Sequence, residues 1–131
     1  LFLSIFNSLS HSDYIALIKE ATKNKSSFLI SKTGPNTMFE SLLHGLPMLL
    51  HPSWLPMEDW VSSYIKNNGI GEVEIFDRFH INLDYWLSNE EHVERFRNNT
   101  HILARNFLKK VDHGRYLHNV LQKHLAYPDT L

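Results

Sequence analysis

Three residue types within seven positions, Gly34, Thr37 and Glu40, stand where chemistry is feasible in the stretch "FLISKTGPNTMFESLLHGLPMLLH", Phe28 to His51. A short apolar run stops at Ser31-Lys32, Gly34 and Pro35 follow, and helical spacing begins at Thr37. Where a strand hands over to a helix, unpaired N–H groups and the positive end of the helix dipole favour an anion. The same residues also read as a capping box. In that reading the Thr37 hydroxyl takes the Glu40 N–H and the Glu40 carboxylate reaches back. Pro35 just before it has φ preset for a helix entry. A lone glycine is a weak phosphate signal, so spacing alone favours the cap and leaves the cradle open.

Other reactive side chains form no comparable group. The nine histidines show neither His-Glu-x-x-His spacing nor a carboxylate partner, and no metal is expected. The absence of cysteine excludes thiolate ligands and disulfides and fits a cytoplasmic location. Trp54 lies within the loop "PSWLP" and Trp60 just after it, and both are expected to serve core and rim packing. Asp112-His113 near Arg115 resembles a polar helix start.

The elements that must position the turn follow from periodicity. Leu1 to Phe6 reads as a strand, and a helix capped by Ser12 or Asp13 runs to about Lys23. Ser27–Ser31 and Met48–His51 read as short buried strands around a Thr37–Gly45 helix. Connections this short predict a right-handed βαβ unit in a parallel sheet. On a helical wheel Met38, Phe39, Leu42 and Leu43 face the sheet, with Thr37, Glu40, Ser41 and His44 opposite. Further helices are predicted over Met57–Asn67, Leu83–Leu87, Glu90–Lys109 and Gly114–Leu125, with a strand over Gly71–Phe76. At 131 residues the chain is long enough for one domain. It starts inside an apolar run without a methionine, so it is expected to be a piece of a longer protein.

A net charge of −1 hides an uneven distribution. Glu58 to Glu94 carries nine acids against Lys66 and Arg78, and Arg95 to Lys123 carries seven bases against Asp112. A solvated helical face is the plain reading of the bases. The sharper one is a patch of Arg105, Lys109, Lys110 and Arg115 that meets anionic membrane headgroups, making the protein peripheral at a membrane. Nucleic acid is not an expected partner, because no aromatic-and-basic reading motif accompanies the bases. No run of about 18 apolar residues is present to span a bilayer.

The run "SKTGPNTMFESLLHGLPMLL", continuing to "NNGIG" at Asn67–Gly71, resembles the donor-nucleotide half of GT-B glycosyltransferases, family 28 in particular. That family includes diacylglycerol glycosyltransferases and the N-acetylglucosaminyl transferase of peptidoglycan lipid synthesis. The order carrying the resemblance is Ser-Lys, Gly-x-x-Thr-x-x-Glu, a helix, Gly-x-Pro, a strand, a proline loop and Asn-Gly-x-Gly. It implies a Rossmann-like α/β lobe with a parallel sheet and flanking helices, the C-terminal part of a two-lobed enzyme whose acceptor lobe lies elsewhere. It also implies inverting transfer of a hexosyl group from a UDP-sugar to a lipid or other acceptor, with neither metal nor cofactor.

Carried over position by position, the resemblance gives Lys32 the diphosphate as a point charge. Gly34 becomes the turn where backbone approaches the diphosphate, Thr37 a phosphate donor and Glu40 the acceptor of ribose hydroxyl bonds. The base that deprotonates the acceptor would come from the other lobe.

Three departures stand out. Pro35 replaces a small residue and removes one N–H. Met57 and Val61 stand where the family grips the sugar through amides, leaving Glu58 and Asp59 to take over the contact. Two rivals remain: a degenerate donor lobe kept for binding or scaffolding, and a UDP-sugar epimerase-like enzyme. The second lacks its paired glycine and Gln-Glu-Glu run here.

Overall fold

The parallel sheet expected from the strand–helix–strand spacing is present. The computed structural model describes residues 9–125, without the side chains of several residues from 113 onward. The strand expected over Leu1–Phe6 lies outside the described residues. Strands β1 (Leu29–Lys32), β2 (Met48–His51) and β3 (Gly71–Val73) pair in the order β1-β2-β3, all parallel, with Lys32 opposite His51. Helix α1 (His11–Ala21) precedes β1, and Ser10 caps it by accepting the Asp13 N–H at 3.2 Å. Helix α2 (Pro35–Leu43) joins β1 to β2. A 3-10 turn, Pro56–Glu58, leads into α3 (Asp59–Asn68), which joins β2 to β3.

Strand alternation divides the core into two layers. Met48 and Leu50 meet Met38 and Leu42 of α2 and Val61 and Ile65 of α3. Leu49 points the other way, onto Trp86 of α4 (Phe76–Ser88) and Val93 and Phe96 of α5 (Glu90–Leu125). All three β2 residues are fully buried, as a central strand covered on both faces requires. Helix α5 serves both layers, with Phe96 in one and Ala104 in the other.

Several boundaries differ from expectation. Helix α2 starts at Pro35, two residues before Thr37, because proline's fixed φ already suits the first helical position. On α2 Leu43 is exposed while Ser41 is buried and donates to the Leu46 carbonyl at 2.8 Å. That bond belongs to the helix end, where Leu46 N–H also bonds the Ser41 carbonyl and Gly45 N–H that of Leu42. Gly45 has φ +74°, and a Cβ there would collide with the His101 ring. Glycine is therefore required twice over at this position. Strand β3 ends at Val73, short of Phe76, because Glu74 turns to accept bonds from Ile75 N–H and Asn82 ahead of α4. Helix α5 is continuous, so Asp112-His113 starts nothing; an isolated glycine at Gly114 costs a helix only about 1 kcal/mol.

Candidate functional site

Lys32 is the last residue of β1, at the carboxyl end of the sheet. Thr33 follows, fully buried. Its N–H donates to the His51 carbonyl at 2.8 Å and its hydroxyl accepts from Ser53 N–H at 2.7 Å. These two bonds tie the loop after β2 to the end of β1. Gly34 is the N-cap of α2, in extended backbone (φ −173°) and without a side-chain cap. The first helical bond runs from Met38 N–H to the Gly34 carbonyl at 3.0 Å. The N–H groups of Asn36 and Thr37 therefore lie in the unpaired first turn, and Pro35 contributes none.

This arrangement overturns the capping box. Thr37 is the third helical residue, not the cap, and Glu40 sits a turn further in. Their partners come instead from α1. The Tyr14 phenol lies beside Thr37 and Glu40, and His11 Nδ1 lies 3.6 Å from Glu40 Oε1. Burial, then the Glu40 charge, push the Tyr14 phenol above its usual range, and the nearby Thr37 side chain opposes them.

Lys32, Gly34 and Glu58 form a second group. Lys32 Nζ is 3.5 Å from Glu58 Oε2, and a Cβ on Gly34 would come 3.8 Å from Glu58 Oε1. Glu58 keeps only 15% of its side chain exposed, yet its Oε2 has no hydrogen-bond partner among the described residues. Leaving such an oxygen dry without a donor is costly.

The expected site residues thus fall into two neighbouring sets on either side of the α2 start: Lys32, Gly34 and Glu58, and Thr37 and Glu40 with Tyr14 and His11. Asp59 is exposed at the first position of α3 and joins neither. Met57 points to solvent with 77% exposure and Val61 is fully buried, so neither takes part. Tyr14, His11 and Thr33 escaped sequence reasoning. Their roles depend on contacts across 20 or more residues, which no local spacing announces.

Two surface expectations also change. Trp54, in the loop after β2, is 86% exposed and Trp60, in α3, about half exposed, so neither is a core residue. Along the continuous α5, Arg105 and Lys109 share a face, but Lys110 and Arg115 turn away from Arg105 by about 140° and about 80° on opposite sides. The four bases do not make one patch. No helix among the described residues is long and apolar enough to cross a membrane.

Chemically, the start of α2 offers two free N–H groups, a dipole and an ammonium to an anion. Two carboxylates, Glu40 and Glu58, flank it as acceptors for hydroxyl groups. Compared with family models, with curated proteins and with solved structures, the chain matches none.

Proposed function

We propose that the start of α2 binds the diphosphate and ribose of a UDP-sugar. In this reading the chain is the Rossmann-like donor-binding part of a GT-B glycosyltransferase that moves a hexosyl group, with inversion, to a lipid or other acceptor. The observation that carries the proposal is the uncapped start of α2, with Lys32 on one side and Glu40 on the other. The Asn36 and Thr37 N–H groups and Lys32 receive the phosphates, and Lys32 offsets the charge on the departing nucleotide. Glu40 accepts from the ribose hydroxyls, and Glu58 from a hydroxyl of the sugar. The acceptor lobe and the base belong, in this reading, to sequence outside this chain.

Glu58 standing beside Lys32 favours a second reading, a donor lobe kept for binding or scaffolding without transfer. Titration of the 131-residue chain with UDP, followed by NMR, separates the two. Shifts concentrated on the Asn36 and Thr37 amides are expected for the donor site. Glu40→Gln is expected to cost about 1.5–3 kcal/mol of UDP affinity, the range for charged hydrogen bonds, while changing unfolding stability less. Absence of any shift near α2 at millimolar UDP would sink the donor reading.

A further inference from the structure

The other face of the same sheet end carries an open cleft of about 320 Å³, lined by Ile30, Lys32, His51, Trp54, Phe76 and Phe79 among others. Strand alternation puts Ile30, Lys32, Leu49 and His51 on this face, away from α2. Helix α4 covers the β2 part of it, and among the described residues the β1 part stays open, with Ile30 exposed. The His51 and Phe76 rings sit 3.6 Å apart, centroid to centroid, and Trp54 lies 6.4 Å from His51. Phe76 is 67% exposed and Trp54 more so, although each carries a large apolar surface.

We infer that this cleft binds the apolar body of a single-chain amphiphile whose anionic head lies at Lys32. The chemistry of the lining selects that occupant. Its surface is mostly hydrocarbon and aromatic ring, without the fan of amides and hydroxyls that reads a nucleobase edge. Among the described residues no carboxylate lines it, and its one fixed charge is the Lys32 ammonium, largely exposed. That ammonium lies 3.5 Å from Glu58 outside the cleft, an ion pair weak enough for an incoming anion to displace. An apolar chain ending in a phosphate or sulfate complements both features. Binding at the cleft stands independently of the nucleotide reading. Only the role of the amphiphile as sugar acceptor rests on that reading, with Lys32 then shared between acceptor and donor.

The test is titration of the full chain with decyl phosphate below its micelle concentration, read by tryptophan fluorescence and NMR. Saturable shifts at His51 and Phe79 are expected. Phe76→Ala and Trp54→Ala should each weaken binding about tenfold, the scale of one buried aromatic ring. Both residues are exposed, so unfolding midpoints should stay near those of the parent. Lys32→Gln should abolish the preference for decyl phosphate over decyl maltoside, and inorganic phosphate alone should leave His51 and Phe79 unshifted. Unchanged binding in Phe76→Ala, or equal affinity for the neutral detergent, overturns the inference. So do three other outcomes that assign the cleft elsewhere. These are Phe76-dependent binding to phosphatidylcholine vesicles, self-association lost in Phe76→Ala, and tighter probe binding after removal of residues 1–8. UDP titration of Phe76→Ala runs alongside: UDP shifts at α2 should persist there, so failure at one site is told apart from failure at the other.

Discussion

The two edges of the parallel sheet are finished in opposite ways. At the amino edge, where α1, α2 and α3 end, α5 seals each helix with one side chain. Arg97 donates to the carbonyls of Thr22, Asn24, Lys25 and Ser27 around the end of α1. Asn99 donates to the Gly69 carbonyl at the end of α3 at 2.9 Å, and His101 lies against Gly45 at the end of α2. At the carboxyl edge the start of α2 has no side-chain cap, Glu58 keeps a buried oxygen without a hydrogen-bond donor among the described residues, and Trp54 and Phe76 stand in solvent. Polar groups left unmatched cost stability. A second buried atom without a hydrogen-bond partner among the described residues, His92 Nε2, lies away from this edge, at the start of α5. The contrast between the edges therefore rests on the sealed helix ends at one and the uncapped α2 start with its exposed aromatic rings at the other.

The strongest way to break that contrast is to remove Arg97. Burial lowers its pKa, with Glu94 acting the other way, and it stays charged at neutral pH. Arg97→Met should fill similar volume but leave four loop carbonyls short of a donor. A loss of about 3 kcal/mol or more is expected in urea unfolding, since hydrogen bonds to charged groups contribute about 1.5–3 kcal/mol each and are not additive. A change under about 1 kcal/mol would mean that water replaces the guanidinium freely and that the amino edge is not sealed as described.

Gly45→Ala is expected to come next. The left-handed backbone alone costs a side chain about 1–2 kcal/mol, and the new methyl must also displace His101. The double variant Gly45→Ala, His101→Ala should recover the collision part and keep the backbone part. Thermal unfolding of the three variants gives both terms. Equal stability of the single and double variants would show that His101 moves aside at no cost and seals nothing.

Much of the sealed edge was legible in the sequence and much of the open edge was not. Glycine at Gly45 after an apolar helical stripe announces a helix end, and the β2 run announces a central strand. Both signals are local. Arg97, by contrast, reads as one more base in a basic segment, because the carbonyls it serves are about 70 residues away. The parallel α/β class is legible because the spacing from β1 to α2 to β2 leaves few topologies, whereas the extent of α4, Phe76–Ser88 rather than Leu83–Leu87, is not. Its inward positions, the partly buried Phe79 and Leu83 and the buried Trp86, recur at helical spacing among polar residues that conceal the start of the helix. At the site, the spacing of Thr37 and Glu40 suggested a cap, and Pro35 moved the helix start so that neither residue serves as one. In the sequence Glu58 stands out only as a neighbour of Met57 that could replace its contact. Its burial beside Lys32 and Gly34 depends on how the loop after β2 folds back over Thr33, and no pattern in the loop encodes that.

Glu58→Gln is the smallest expected effect and the sharpest complement to Arg97→Met, since both replace a buried charged side chain by a neutral one of similar size. The partners differ. Arg97 makes four contacts to fixed backbone oxygens, whereas Glu58 Oε2 has only Lys32 Nζ at 3.5 Å, on a largely exposed side chain. Ion pairs of that kind contribute about 0–1 kcal/mol, and a neutral amide costs less to keep from water than a carboxylate. The two terms oppose each other, so stability should stay within about 0.5 kcal/mol of the parent. Ligand binding should respond instead. With the carboxylate gone, Lys32 is released to an incoming anion, and affinity for UDP itself should rise. Titration with UDP and urea unfolding on the same variant decide the matter. A stability loss above about 1.5 kcal/mol with unchanged UDP affinity would make Glu58 a structural residue and erase the difference between the two edges.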